Sequence, residues 1–108
     1  MPEFLRSAKK LGMTQEEREE VIDMIAANPS LGDEISGTGG MRKVRIAAKG
    51  KGKSGGYRLI TFFSGTEIPV FLVTIYTKSQ KSTITDKEKS SLKTLSSAIV
   101  ETYKRKRK

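Results

Sequence analysis

Seven bases, Arg42, Lys43, Arg45, Lys49, Lys51, Lys53 and Arg58, fall within a run of 17 residues that holds no acid. Cations at this density concentrate polyanions at a surface and speed their encounter, and the phosphate contacts they make weaken steeply with salt. RNA suits such a surface. Arg grips a phosphate through two parallel hydrogen bonds, Lys neutralises developing charge, and Tyr stacks on or bonds a splayed base. Cleavage of RNA without a metal asks for little more. The 2′-hydroxyl attacks the adjacent phosphate, a base takes its proton, an acid protonates the leaving oxygen, and cations stabilise the transition state. Clustered lysines lower one another's proton affinity, so one of them can serve as the base. On the residues alone, a plain RNA-binding surface is the simpler reading.

The rest of the composition narrows the chemistry. The chain has 108 residues, no Cys and no His. That removes disulfides, thiol nucleophiles, Cys-based zinc sites, imidazole bases and the His-containing triads, and the sequence calls for no metal and no cofactor. Four of the 21 bases and eight of the 12 acids lie in residues 1–34, a balance of −4, which leaves 17 bases against four acids, +13, for residues 35–108. A second basic run, Lys104 to Lys108, is expected to be a frayed tail on a single domain spanning 1–108. No apolar stretch approaches the roughly 20 residues that span a bilayer and the first residues lack a signal-peptide block, so the expected address is the cytoplasm, with no membrane partner. Two apparent phosphate loops fail. Gly50-Lys51-Gly52-Lys53-Ser54-Gly55 matches G-x-G-x-x-G, but a strand rather than a helix follows it, and a Walker A loop would need Gly where Ala47 stands. Glu67 and Asp86 are isolated and are explained by turn and cap roles.

The elements that must position the cations follow from periodicity. Phe4, Leu5, Ala8 and Leu11 predict a short helix ended at Gly12, and Thr14 with Glu17 forms a capping box opening a second helix that stops at Asn28-Pro29. Leu31 to Gly40 reads as a glycine-rich loop whose GTGG turn is structural. Arg42 to Ala48 alternates as a strand with Val44, Ile46 and Ala48 on one face and Lys43 and Arg45 on the other; an extended continuation puts Lys49, Lys51 and Lys53 on that polar face, while Gly50 and Gly52 weaken a strand and make a mobile basic loop an equal reading. Tyr57–Phe63 is the next strand, Ser64 to Glu67 a hairpin turn, and Pro69–Lys78 the third strand, with Phe71, Val73 and Ile75 on one face and Leu72, Thr74, Tyr76 and Lys78 on the other. Thr85 with Glu88 caps a C-terminal helix whose Leu92, Leu95, Ile99 and Tyr103 should pack on the sheet. The expected fold is α+β: two N-terminal helices, a small twisted antiparallel sheet and a final helix. Arg58, Tyr76 and Lys78 converge with the cations of the first strand on one sheet face, and Lys43, Arg45, Tyr57 and Tyr76 are the expected RNA-binding residues.

The joint pattern Asn28-Pro29 … Leu31-Gly32-Asp33-Glu34-Ile35-Ser36-Gly37-Thr38-Gly39-Gly40-Met41-Arg42-Lys43-Val44-Arg45, then Lys49 to Arg58 as KGKGKSGGYR, then Leu72-Val73-Thr74-Ile75-Tyr76-Thr77-Lys78, closely resembles HigB-type toxins of the RelE/ParE superfamily. The resemblance implies a RelE-like fold and cleavage of mRNA in the ribosomal A site. It also implies neutralisation by a cognate antitoxin, commonly one with a helix-turn-helix DNA-binding domain. Position by position, the family's basic loop falls on Lys49, Lys51 and Lys53, its sheet arginine on Arg58 and its post-strand cations on Lys78 and Lys81. Arg58 would then hold the scissile phosphate, one of the three loop lysines would accept the 2′-hydroxyl proton, and Lys78 or Lys81 would stabilise charge at the leaving side. Two features depart from the pattern. Only Met1-Pro2-Glu3 precede Phe4 where many relatives have a strand, so either the sheet is short of one edge or the start is set late. Ser79-Gln80 stands where Asn-Glu is common, and Ile84 stands where some relatives carry a tyrosine. Two other readings stay open: a catalytically silent module that binds its antitoxin, and a ParE-like gyrase poison, against which the lysine-rich loop argues.

Overall fold

The computed structural model describes residues 2–47, 56–65, 67–77, 80–81 and 83–106. Helix α1 runs over Pro2–Lys10 and α2 over Gln15–Ala27. Gly12 links them at φ 77°, a backbone conformation that suits glycine. The capping box is present as expected: Thr14 Oγ1 accepts from the Glu17 amide at 3.1 Å, and Glu17 Oε1 accepts from the Thr14 amide at 3.0 Å. These bonds satisfy two donors that a helix start otherwise leaves unpaired.

The sheet is antiparallel in the order β1-β2-β3-β4, with β1 Asp33–Glu34, β2 Met41–Ile46, β3 Tyr57–Phe62 and β4 Phe71–Thr77. Three segments differ from the sequence expectation. Asp33 and Glu34 were expected in a loop, yet they pair with Lys43 and Arg42 as a two-residue edge strand. The link from β3 to β4 is longer than a tight hairpin, running from 63 to 70. The last helix, α3 Asp86–Lys106, continues through most of the run expected to fray. That helix starts on the second expected capping box, with Thr85 and Glu88 bonded reciprocally at 2.9 and 3.1 Å. Among the described residues no helix is long and apolar enough to cross a membrane.

Each sheet face has its own core. Against α1 and α2 lie Val44, Ile46, Tyr57, Leu59, Leu72 and Ile75, packed on Phe4, Ala8, Met13, Val21 and Ile25. Against α3 lie Met41, Ile60, Phe62, Val73 and Tyr76, packed with Ile35 and Ile99. The expected alternation along β4 fails at one point. Ile60 pairs with Thr74 but Thr61 pairs with Leu72, so Val73 is an extra residue, a β-bulge that reverses the phase of the strand. Phe71 and Val73 therefore share the α3 face with Tyr76, while Ile75 joins Leu72 on the other side.

The GTGG turn is structural. Thr38 is fully buried, donates its hydroxyl to the Ile35 carbonyl at 2.6 Å and accepts from the Met41 amide at 3.3 Å. Ser96 of α3 donates to the Thr38 carbonyl at 2.7 Å. Gly39, at φ 73°, lets that helix approach: a Cβ there would sit 2.8 Å from Ser96 Oγ. This contact locks α3 across the start of β2.

Candidate active site

Sheet register builds the site from one cross-strand row. Arg45 of β2 stands opposite Arg58 of β3, and Arg58 stands opposite Tyr76 of β4. Directly opposed side chains have Cβ atoms roughly 4.5–5.5 Å apart, and two like charges so placed destabilise a sheet by about 0.2–1 kcal/mol. Among the described residues no carboxylate forms an ion pair with Arg45 or Arg58. Arg58 is half-buried, and its guanidinium donates one long hydrogen bond, 3.5 Å, to the Tyr57 carbonyl. Lys43 lies two residues back on the same face and is exposed, as is Arg45. Among the described residues Arg45 and Arg58 are thus neighbouring cations with no ion-paired carboxylate, Asp33 stands opposite Lys43 at the outer edge, and α3 covers the rest of the face.

Lys81 enters the row from beyond the end of β4. The Gln80 side chain accepts from the Thr77 amide at 2.9 Å, and the Gln80 and Lys81 amides both donate to the Thr77 carbonyl, at 3.1 and 3.3 Å. That turn brings the Lys81 ammonium back over the Tyr76 ring, 5.1 Å from its centroid. Glu88 also holds the ammonium in an ion pair and a hydrogen bond. Tyr76, Lys81 and Glu88 line a cleft of about 340 Å³ between β4 and α3, floored by Ile60, Ile84 and Leu92.

The electrostatics follow from these contacts. The hydrogen bond from Lys81, reinforced by the Thr85 amide, holds the Glu88 carboxyl at about 2, below its ordinary 4.5. Burial pushes the Tyr76 hydroxyl above its ordinary 10.0, against the opposing pull of the Lys81 and Arg58 charges. At neutral pH the phenol therefore keeps its proton and is a hydrogen-bond donor, not a base.

Of the expected site residues, the fold brings together Lys43, Arg45, Arg58, Tyr76 and Lys81. Lys49, Lys51, Lys53 and Lys78 lie outside the described residues. Tyr57 is separated from the group. It is 7% exposed and belongs to the core under α1 and α2, on the face opposite Arg58. Tyr76 keeps its place in the row but presents little ring for a base to stack on, being 9% exposed with an ammonium against it. Glu88 and Gln80 were not expected at the site. Glu88 reads from the sequence as a helix cap, and its second partner depends on a turn that alternation does not encode. A family model described as the RelE toxin of the RelE / RelB toxin-antitoxin system matches residues 2–107.

Proposed function

The chain belongs to the RelE toxin family of toxin-antitoxin systems, and on that premise we propose that it is a HigB-type toxin that cuts mRNA in the ribosomal A site and so halts translation. The observation that supports this reading most is the row Arg45–Arg58–Tyr76, two directly opposed guanidinium groups with no described carboxylate between them. A sheet gains nothing from such a pair, whereas a phosphate bound between them turns the repulsion into attraction.

In the proposed reaction the 2′-oxygen of the RNA forms a bond to phosphorus and the bond from phosphorus to the 5′-oxygen breaks. A cyclic phosphate is left on one side and a 5′-hydroxyl on the other. One of Lys49, Lys51 or Lys53 takes the 2′-hydroxyl proton. Arg58, with Arg45, holds the non-bridging oxygens as charge grows on them, and Lys81 or Lys78 stabilises the charge on the leaving 5′-oxygen, which takes a proton from that ammonium or from water to become the 5′-hydroxyl. Tyr76 donates a hydrogen bond, and Lys43 adds charge along the backbone of the RNA. No metal is part of this scheme. The proposed partners are the ribosome with its mRNA and an antitoxin carrying a helix-turn-helix domain.

Brief induction in bacteria, followed by mapping of transcript ends, tests the proposal. We expect growth arrest with new ends inside translated reading frames, and the loss of both in Arg58→Ala. Growth arrest with intact transcripts would overturn it. A block in DNA supercoiling under the same conditions would point to gyrase instead, and antitoxin binding without arrest would point to a silent module.

A further inference from the structure

The contacts of Glu88 exceed what a helix cap requires. One carboxylate oxygen, Oε1, accepts from the Thr85 amide, and the other, Oε2, takes the Lys81 ammonium. The Glu88 amide in turn donates to Thr85 Oγ1 at 3.1 Å. The capping box thus fixes the carboxylate on the first turn of α3, and the carboxylate fixes the lysine. The ammonium also lies over the Tyr76 ring, and Tyr76 stands opposite Arg58 in the sheet. An unrestrained lysine spreads its charge over many rotamers of a four-carbon stem. Here the side chain is only 37% exposed and is held by two partners, Glu88 and the Tyr76 ring. An ammonium has three donors, so one engaged by Glu88 leaves others for a phosphate oxygen.

We propose that Glu88 is the positioning residue of the site: its carboxylate holds the Lys81 ammonium between Tyr76 and the α3 start, beside the Arg58 row, so that the cation is already in place when RNA arrives. The proposal rests on the reading of Lys81 as a group that acts on RNA. Glu88 itself touches no substrate. A fixed negative charge beside a polyanion opposes binding, so its benefit must come in the transition state, through orientation.

Two substitutions separate this role from capping. Glu88→Gln keeps an oxygen for the Thr85 amide but gives up the charge that holds Lys81. Thr85→Ala weakens the cap and leaves the carboxylate free to hold Lys81. Cleavage of mRNA on programmed ribosomes is measured at rising ribosome concentration, which yields a plateau rate and a half-saturating concentration. For Glu88→Gln we expect the plateau to fall roughly tenfold or more, because small misplacements of a catalytic group are costly. Its half-saturating concentration should be unchanged or lower. Thr85→Ala should melt at a lower temperature but cleave at the parental plateau. Lys81→Met should lower the plateau, and adding Glu88→Gln to it should lower it no further, since the two residues act as one unit.

A parental plateau for Glu88→Gln beside a slow Lys81→Met would overturn the positioning role alone. A plateau for Thr85→Ala as low as that of Glu88→Gln would reduce Glu88 to a cap. Parental plateaus for both Lys81→Met and Arg58→Ala would overturn the underlying reading of the site.

Discussion

The two faces of the sheet are built from alternate residues of the same strands, yet they solve different problems. The face under α1 and α2 is apolar from Val44 and Ile46 through Leu59 to Ile75, and two helices close it. The face under α3 is apolar from Met41, Ile60 and Val73 to an aromatic end, where Phe71 packs tilted on Phe62 at 6.5 Å and edge-on to Tyr103 at 6.0 Å, and its outer margin carries Lys43, Arg45, Arg58 and Lys81. One helix covers it in part. A single strand such as β3 thereby carries stability on its odd residues and charge display on part of its even ones, and neighbours in sequence have unrelated duties.

Leu59 and Arg58 give the sharpest contrast. Leu59 is fully buried, so Leu59→Ala should cost about 2–5 kcal/mol in denaturant unfolding. Arg58→Ala should leave unfolding within about 0.5 kcal/mol and lower cleavage by roughly 10²-fold or more. If the arginine change unfolds the protein as the leucine change does, the division between faces fails. Thr61, on the closed face, has a fully buried hydroxyl with no hydrogen-bond partner among the described residues. Thr61→Val should therefore raise stability by about 1 kcal/mol and leave cleavage unchanged, because it removes an unpaired polar atom without altering shape. Arg45→Thr, on the open face, should raise stability by about 0.2–1 kcal/mol by relieving the repulsion with Arg58, while RNA cleavage weakens. The smallest effect is one of pH. The Glu88 carboxyl is held at about 2 in the fold against an ordinary 4.5. The stabilisation it supplies is complete above 4.5 and is lost as pH falls toward 2, so the difference in melting temperature between the parent and Glu88→Gln should shrink over that interval. A difference that stays constant down to pH 2 would mean that the ion pair contributes nothing.

How much of this was readable in advance depended on how local the signal was. Both capping boxes, Thr14–Glu17 and Thr85–Glu88, are four-residue patterns and were found from sequence. So was the separation of Val44 and Ile46 from Lys43 and Arg45, which needs only period two. The placement of Tyr57 was also within reach: it precedes Arg58 in a strand, and parity alone puts the two on opposite faces, but an aromatic in a basic stretch suggested RNA contact instead. The bulge at Val73 was hidden because PVFLVTIYT is nearly all apolar, and a run buried on both faces has no period to break. Strand β1 was hidden because two exposed residues pair through backbone atoms alone. The Lys81–Glu88 pair joins residues whose distance depends on a turn after the sheet, and no spacing rule covers it.

The bulge has one further meaning. Phe71 and Tyr76 are five residues apart, an odd interval, and an unbroken strand would show them to opposite sides. The extra residue at 73 acts as a change of gear within β4. Upstream, the strand meshes with the aromatic end of α3; downstream, it meshes with the cations, and each segment keeps its own count. Insertion or deletion of one residue at this point would leave either half internally paired but turn the two out of step, uncoupling the anchor of the last helix from the surface that faces the polyanion.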